Sequence, residues 1–322
     1  MQALDLEQYL TPLGYHLASL PVNVRIGKMM LFGCIFRCLD PVLTVAAGLS
    51  FRSPFVAPFE KREEADKAKK KFAVQNSDHL TLLKAYRGWL AAAERRTERT
   101  YCFGNFLSAN TLRMIRQMKV QFLELLIEIG FLDPSKLPAG GRGGKGGGGR
   151  GRGGGRGGRL SLQGERAMFG GEWYNTNSAH MSLAKAVLCA GLYPNVVQVQ
   201  REEPRRKPKR EDDRPARAPR APKLLSREGS EVFVHPMSVN FSSVAFESPM
   251  LLYFEKVKTT KVYVRDATMI TPYPLLLFGG ELEVKHEEKL IVVDDWLSFV
   301  SMGKVAVLIS GAPSRQSKHA CS

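Results

Sequence analysis

The chain has 322 residues and 44% hydrophobic side chains, which is enough to fill the cores of two modest domains. Its 47 Lys and Arg outnumber 31 Asp and Glu, and the charge of +16 predicts a polyanionic partner, either nucleic acid or an acidic membrane surface. Five scattered cysteines argue against a disulfide scaffold, and no apolar run approaches the roughly 20 residues of a membrane helix. Without a leader pattern, we expect a cytoplasmic protein, with the nucleus as a second location and no membrane contact.

The first part of the chain, residues 1–132, predicts an all-α domain. Apolar residues recur at helical spacing behind polar residues that can cap a helix. These candidate caps are Asp40, Ser77 or Asp78, and Ser108 or Asn110. Gly130 follows the strongest apolar stripe and predicts the end of its helix.

A linker rich in glycine and arginine follows the helices. Residues 140–159 contain six basic residues and no acidic one, and 14 of the 30 glycines lie between 140 and 158. Such a composition buries too little apolar surface to offset the entropy of ordering the chain. We therefore predict a disordered linker over 133–177.

Short β runs separated by turn residues dominate the last part of the chain. A helix over 179–190 and a β run at 196–199 precede a second low-complexity stretch, 201–223, with five prolines and mixed charge. From residue 231 onward five or six strands, including one at 275–278, suit a small closed barrel of the OB type. The prediction is thus an α+β chain: an OB-like barrel over 178–310 with a disordered loop at 201–223, and a disordered tail over 311–322.

No motif for catalysis or metal binding stands out. Every Gly-Lys pair lacks the Ser or Thr that a phosphate-binding P-loop needs, so we expect no nucleotide cofactor in this chain. Cys34 and Cys38 lie four apart on an apolar helix, but no further Cys or His completes a zinc spacing, which favours buried core thiols over metal ligands. We expect no enzymatic activity of the chain by itself, because nothing in the sequence marks a nucleophile.

Arginines of the linker are the first candidate RNA contacts. The stretch contains three Arg-Gly-Gly units, and arginine both pairs with phosphate and stacks on bases while glycine lets the backbone follow an irregular strand. The candidates are Arg142, Arg150, Arg152, Arg156 and Arg159. The alternative is a flexible linker whose charge only keeps it soluble, and it is the less favoured of the two because a plain linker usually mixes Ser, Thr or Glu with its glycines.

A second candidate RNA contact lies in the barrel. Charge that follows a nucleic-acid backbone and an aromatic ring for stacking are the two needs of single-strand binding, and both occur within eight residues of chain. These residues are Lys258, Thr259, Thr260, Lys261, Tyr263 and Arg265. An exposed hairpin edge with lysines that discourage aggregation is an equally good interpretation from the residues alone.

Several longer motifs resemble, in the same order, the C-terminal region of DEAH/RHA-type RNA helicases, closest to the subgroup with RWD and ubiquitin-associated domains ahead of the motor. They cover most of the chain outside the two low-complexity stretches. The motifs are Leu10–Pro21, Lys28–Gly33, Cys38–Ala47, Ser53–Phe55, Asp78–Trp89, Leu188–Asn195, Val232–Pro236, Leu252–Asp266 and Pro274–Gly280.

This resemblance implies a division into domains and a role. Residues 1–28 would be the tail of a winged-helix domain, 29–132 the helicase-associated ratchet domain, and 178–310 the OB-fold with the helix leading into it. Together they would grip single-stranded or structured RNA for 3′→5′ unwinding by RecA-like lobes acting in cis or in trans, and OB loops including His235 would contact the RNA.

The lobes themselves, with the ATP and Mg²⁺ they bind, have no counterpart in the sequence, which resembles a fragment or truncated relative. Two alternatives stay open. The chain could be a non-catalytic adaptor that docks on a helicase motor, a G-patch-like cofactor or a ribonucleoprotein, or the Arg-Gly-Gly stretch could drive condensation with RNA.

Overall fold

The computed structural model describes residues 3–5, 7–137, 162–200, 222–243 and 245–300. Residues up to Ile270 belong to one compact unit and those from Thr271 to a second. The first unit opens with seven described α-helices. They are α1 Pro12–Ala18, α2 Val24–Ile35, α3 Leu39–Ser50, α4 Arg62–Lys70, α5 Asp78–Glu94, α6 Glu98–Gly104 and α7 Ala109–Glu128.

Local capping chemistry explains where the long helices begin and end. The Ser77 side chain accepts a hydrogen bond from Leu80 N at 3.0 Å, and that of Ser108 accepts one from Thr111 N at 3.2 Å. Gly130 adopts φ +69° just beyond α7, a conformation that glycine enters without strain. These three predicted signals are confirmed, whereas α3 begins at Leu39, one residue before the predicted cap Asp40.

The helical core is built around α3, which is buried along nearly its whole length. It packs against α2, α5 and α7, with Trp89 and Leu112 fully buried among them. Helix α9, Met181–Leu192, packs closely along α2. The domain boundary predicted at residue 28 falls inside α2, so the helix continues without interruption across it.

The stretch predicted as a linker over 133–177 is folded where the structure describes it. A 3₁₀ turn, Pro134–Lys136, lies at the end of the range 7–137, and helix α8, Leu162–Met168, and a 3₁₀ turn, Trp173–Asn175, open the range 162–200. Buried side chains of Glu165 and Phe169 supply the contacts that offset the entropy of ordering this part of the chain. The predicted linker is too long, because apolar residues follow directly after the glycine-rich stretch.

A cluster of buried charges fastens α8 to the helical core. The ammonium of Lys119, which has no exposed surface, lies 2.7 Å from Asp40 Oδ1 and 3.2 Å from Glu165 Oε2. Arg116 Nε lies 2.6 Å from Glu165 Oε1, and the Tyr86 hydroxyl donates to Glu165 Oε2 at 3.0 Å. Buried charges of this kind persist only when paired and hydrogen-bonded, and here each has a partner.

Seven strands of the first unit form one sheet, in the order β5-β6-β3-β2-β1-β4-β7. The strands are β1 Val196–Gln200, β2 Lys223–Leu225, β3 Glu231–Val234, β4 Met250–Leu252, β5 Glu255–Lys258, β6 Val262–Arg265 and β7 Thr268–Ile270. All neighbours are antiparallel except β3 and β6, which are parallel. Val197, Leu251 and Val264 are among the buried residues of its apolar core.

The sheet differs from the predicted closed barrel in one respect. Among the described residues no pairing joins β5 to β7, so the seven strands form an OB-like but open arrangement. Strand β2 begins at Lys223, so the last residue of the predicted loop at 201–223 belongs to the sheet. The rest of that loop, 201–221, and the tail, 311–322, lie outside the described residues.

The second unit combines one helix with a three-stranded sheet. Helix α10, Pro272–Phe278, occupies the position where a strand was predicted at 275–278. Proline at the first helical position has no N–H to leave unpaired and a φ angle suited to a helix, which explains the difference. Strands β8 Leu282–Lys285, β9 Leu290–Val293 and β10 Leu297–Val300 follow as an antiparallel sheet in the order β10-β9-β8.

Candidate nucleic-acid interface

Aromatic rings meet on the face of the sheet where β3 runs beside β6. The parallel register places Phe233 next to Tyr263, and their ring centroids lie 6.2 Å apart. The His235 ring meets the Tyr263 ring edge-on, with 5.9 Å between centroids. Lys261 Nζ lies 4.2 Å from the centre of the Phe233 ring, a distance at which a cation is attracted to the ring face.

A cleft of about 310 Å³ opens beside these rings. Its lining combines aromatic, basic and amide groups, the mixture that holds a stacked base next to a phosphate. The residues relevant here are Lys223, Phe233, Asn240, Phe241, Lys261 and Tyr263. Phe241 keeps 52% of its surface exposed, so its ring is accessible to a ligand.

Two of these cleft aromatics were missing from the predicted site. Phe233 lies between two core valines of β3, and because successive side chains of a strand point to opposite faces, Phe233 faces away from buried Val232. This alternation was a usable signal in the sequence. Phe241 follows the loop after β3 and carried no comparable signal.

The predicted hairpin residues lie together at the turn between β5 and β6. Lys258, Thr259, Thr260 and Lys261 are all exposed, and Thr259 N donates to Lys261 O at 2.9 Å to close the turn. Since β5 lies at one end of the sheet order, this turn borders the edge of the sheet. The structure therefore brings Lys261 and Tyr263 into one local surface, whereas Lys258 pairs with Val262 and so lies on the opposite face of the hairpin from Tyr263.

Arg265 and His235 contribute less charge than the sequence implies. Arg265 Nη1 lies 2.9 Å from Glu255 Oε1, so part of its charge is neutralised within the protein. Burial, followed by the nearby Arg265 charge, lowers the pKa of His235 from its ordinary value. The imidazole is consequently neutral at pH 7, and it serves as a ring and a hydrogen-bonding group.

The five linker arginines of the predicted site, Arg142, Arg150, Arg152, Arg156 and Arg159, lie outside the described residues.

Within the described ranges no group of three or more His, Cys, Asp or Glu side chains is arranged to hold a metal ion. Cys34 and Cys38 are buried free thiols, and burial raises the pKa of Cys38 to about 12. Both thiols are therefore protonated at pH 7, unlike metal-binding thiolates. None of the described helices has the length and apolar character to cross a bilayer.

Comparison with known proteins adds two family matches and a set of relatives. Residues 23–82 match the helicase associated domain (HA2), ratchet-like, and residues 184–282 match the oligonucleotide/oligosaccharide-binding (OB)-fold family. Relatives include human DHX57, at 44% identity over 95% of this chain and 22% of the relative. The Arabidopsis thaliana DExH-box ATP-dependent RNA helicase DExH1 is 43% identical over 95% and 26%, respectively. The human ATP-dependent DNA/RNA helicase DHX36 is 38% identical over 96% and 27%.

The chain thus spans about a quarter of the length of these relatives. Both family matches fall on the architecture seen in the structure, with the ratchet-like match on helices α2–α5 and the OB-fold match from α9 into the strands. The two matches occur in the order that the resemblance of the sequence predicts, with the helical domain first. The chain belongs to the DEAH/RHA-type RNA helicases, of which it represents the C-terminal region with the ratchet-like and OB-fold domains.

Proposed function

We propose that this chain grips single-stranded RNA and holds it for 3′→5′ unwinding by RecA-like lobes, which would act in cis or in trans. In this proposal ATP and Mg²⁺ belong to the lobes, and this chain supplies the grip. The names of the relatives, which are ATP-dependent helicases acting on RNA or on DNA and RNA, support the proposal. The observation that carries it is the aromatic and basic surface around Tyr263.

Each part of this surface has a task in single-strand binding. Tyr263 and Phe233 offer rings for base stacking, which tolerates any sequence because every base has a π face. Lys261 stands exposed beside the rings and Lys258 is exposed at the same turn, where each ammonium group can pair with a passing phosphate. The hydroxyls of Thr259 and Thr260 at the turn can donate hydrogen bonds to the phosphates of the same RNA strand. Binding of this kind is strong at low salt and has little sequence preference.

The linker arginines extend the grip in this proposal. Their charge and planar guanidinium groups suit phosphate pairing and stacking on bases, and their number supplies affinity without selectivity. The folded surface and the arginine stretch would then act on the same RNA strand.

Substitution of the central ring tests the proposal. We expect Tyr263→Ala to weaken binding of an oligouridylate about 5- to 150-fold, the range for loss of one stacked base. Fluorescence anisotropy at fixed salt measures the affinity, and circular dichroism checks that the fold persists. Tyr273→Ala is the control, because Tyr273 is an accessible tyrosine, 63% exposed, that lies in the second unit. Equal affinities of the two variants would contradict the proposal.

A second candidate function is that of a non-catalytic adaptor. Phe59 and Phe103 are 96% and 87% exposed, which is unusual for phenylalanine and suits surfaces that another protein covers. Such a partner would be a helicase motor or a G-patch-like cofactor. If the adaptor role is the main one, RNA affinity stays unchanged both in Tyr263→Ala and on deletion of residues 140–159.

A further inference from the structure

The loop after β3, residues 235–240, is hydrogen-bonded to one carboxylate of the helical domain. Asp78, at the start of α5, accepts three hydrogen bonds from the sheet domain. Its Oδ2 receives the Ser238 hydroxyl at 2.5 Å and the Ala267 N–H at 2.9 Å, while Oδ1 receives the Val239 N–H at 2.8 Å. One residue of the helical domain therefore fixes both the loop and the turn between β6 and β7.

Neighbouring contacts give the loop two further supports from the same side. Lys69 Nζ donates to the carbonyl of Met237. Asn240 is 1% exposed, and its amide donates to Asn76 O at 3.1 Å and to Ala267 O at 2.9 Å. The two Asn240 bonds are buried or partly buried, so water does not easily replace them, whereas the Lys69 bond is exposed.

The loop passes this constraint on to the aromatic surface. Met237 N donates to His235 Nδ1 at 3.2 Å, which orients the imidazole ring. His235 N donates to Val264 O at 3.0 Å, so the start of the loop is tied to β6, and the imidazole rests edge-on against the Tyr263 ring. A continuous series of contacts therefore runs from Asp78, through Ser238 and Val239, to Tyr263.

We infer that Asp78 is a positioning residue for RNA binding: through the 235–240 loop it sets the geometry of the His235 and Tyr263 rings without touching RNA. This inference rests on the proposed function. A carboxylate suits the task because it only accepts hydrogen bonds and can receive three at once, while an amide must direct two N–H groups outward. The helical domain thereby shapes a surface that lies on the other domain.

The first test compares D78N with Y86F. The amide of D78N is nearly the same size as the carboxylate, yet it leaves at least one of the Val239 and Ala267 N–H groups without an acceptor. Tyr86 lies on the same helix as Asp78. Y86F removes its buried hydrogen bond to Glu165, which belongs to α8 and not to the 235–240 loop. We expect D78N to weaken oligouridylate binding about tenfold, as for a lost hydrogen bond to a charged group, and Y86F to leave it unchanged.

A double-mutant cycle separates positioning from a general loss of stability. If Asp78 acts through the Tyr263 ring, D78N costs affinity in the wild-type background and almost none in the Y263A background. If D78N only loosens the fold, its effect on affinity is the same in both backgrounds. Full additivity would overturn the inference.

A milder variant keeps the test decisive if D78N fails to fold. Ser238→Ala removes one of the three bonds, and we expect faster hydrogen exchange at the Met237 and Val239 amides together with weaker RNA binding. Faster exchange with unchanged affinity overturns the inference. The proposed function fails separately, when Y263A binds RNA as the wild type does; a loss in Y263A with none in D78N or Ser238→Ala refutes the positioning role alone.

Discussion

Lys119 shows how much of the stability of the helical domain depends on single charges. Its ammonium is enclosed between Asp40 and Glu165 and also lies 4.1 Å from the centre of the Phe169 ring. A lone buried cation would be very costly, but two carboxylates and two aromatic faces surround this one. Removal of the lysine therefore leaves two buried carboxylates without the ammonium that they share.

We expect Lys119→Met to lower the free energy of unfolding by about 3–5 kcal/mol, the usual result when one partner of a buried ion pair is removed. Urea denaturation followed by circular dichroism measures the loss. Lys67→Met, at an exposed position of α4, is the control and should change stability by less than about 0.5 kcal/mol. Similar stability of the two variants would show that the cluster contributes nothing.

His79 makes the stability of the first unit sensitive to acid. Burial lowers its pKa to about 4, although the neighbouring Asp78 charge opposes this, and its Nδ1 lies 2.6 Å from the Thr268 hydroxyl. The unfolded chain, with an ordinary histidine pKa of 6.5, binds a proton in the window where the folded chain does not. Stability from His79 is therefore complete above pH 6.5 and is lost as the pH falls toward 4.

In measurements of unfolding free energy against pH, we expect the wild type to lose about 3 kcal/mol more than His79→Asn between pH 6.5 and 4. Asp78, whose pKa burial raises, changes stability in the opposite sense, but it is present in both proteins and cancels in the difference. Parallel pH curves for the two proteins would mean that His79 is not buried in its neutral form.

At the scale of helices and strands, the sequence predicts the helix ends that depend on neighbouring residues. It does not predict elements that depend on partners distant in the chain. Ser77, Ser108 and Gly130 act through bonds within a few residues of themselves, so the sequence revealed them. Helix α8 depends on the pairing of Glu165 with Arg116 and Lys119, which are more than forty residues away. No local pattern announces that pairing, and the helix was therefore predicted as linker.

The residues of the candidate site also fall into two groups, those that lie close together in the sequence and those that strand pairing brings to them. The lysines and Tyr263 of the β5–β6 hairpin are close in sequence, and their types fit single-strand binding and an exposed hairpin edge equally well. Phe233 and His235 join them only because β3 pairs with β6 in parallel, across about thirty residues of intervening chain. A sheet order with such a crossover cannot be read from the alternation of single strands.

For the whole molecule, positive charge is distributed very unevenly. Residues 140–159 supply six positive charges of the net +16, whereas the second unit, residues 271–322, contains six acidic and five basic residues, a net charge of −1. Attraction of RNA should therefore depend strongly on the arginine stretch and not on the second unit. The salt dependence of binding reports the number of phosphates that the chain neutralises.

We expect replacement of Arg142, Arg150, Arg152, Arg156 and Arg159 by glutamine to reduce the slope of log affinity against log salt by up to about 3.5, at about 0.7 per phosphate contact on a single strand. The matched control replaces the same five arginines by lysine, which keeps the charge and should preserve the slope. A slope that is the same in the glutamine variant and the wild type would show that these arginines do not contact phosphate.

Both ends of the glycine-rich stretch are attached to the helical domain. On one side Leu132 is fully buried and Asp133 N donates to the Tyr174 hydroxyl at 2.8 Å, and on the other side Glu165 enters the Lys119 cluster. Because both attachment points lie on one domain, doubling the number of residues between them costs only about 0.6 kcal/mol of closure entropy. Insertions, deletions and changes of composition there can accumulate in evolution without unfolding the protein. If the arginines of this stretch bind RNA as proposed, affinity for RNA diverges between relatives while the folded scaffold stays the same.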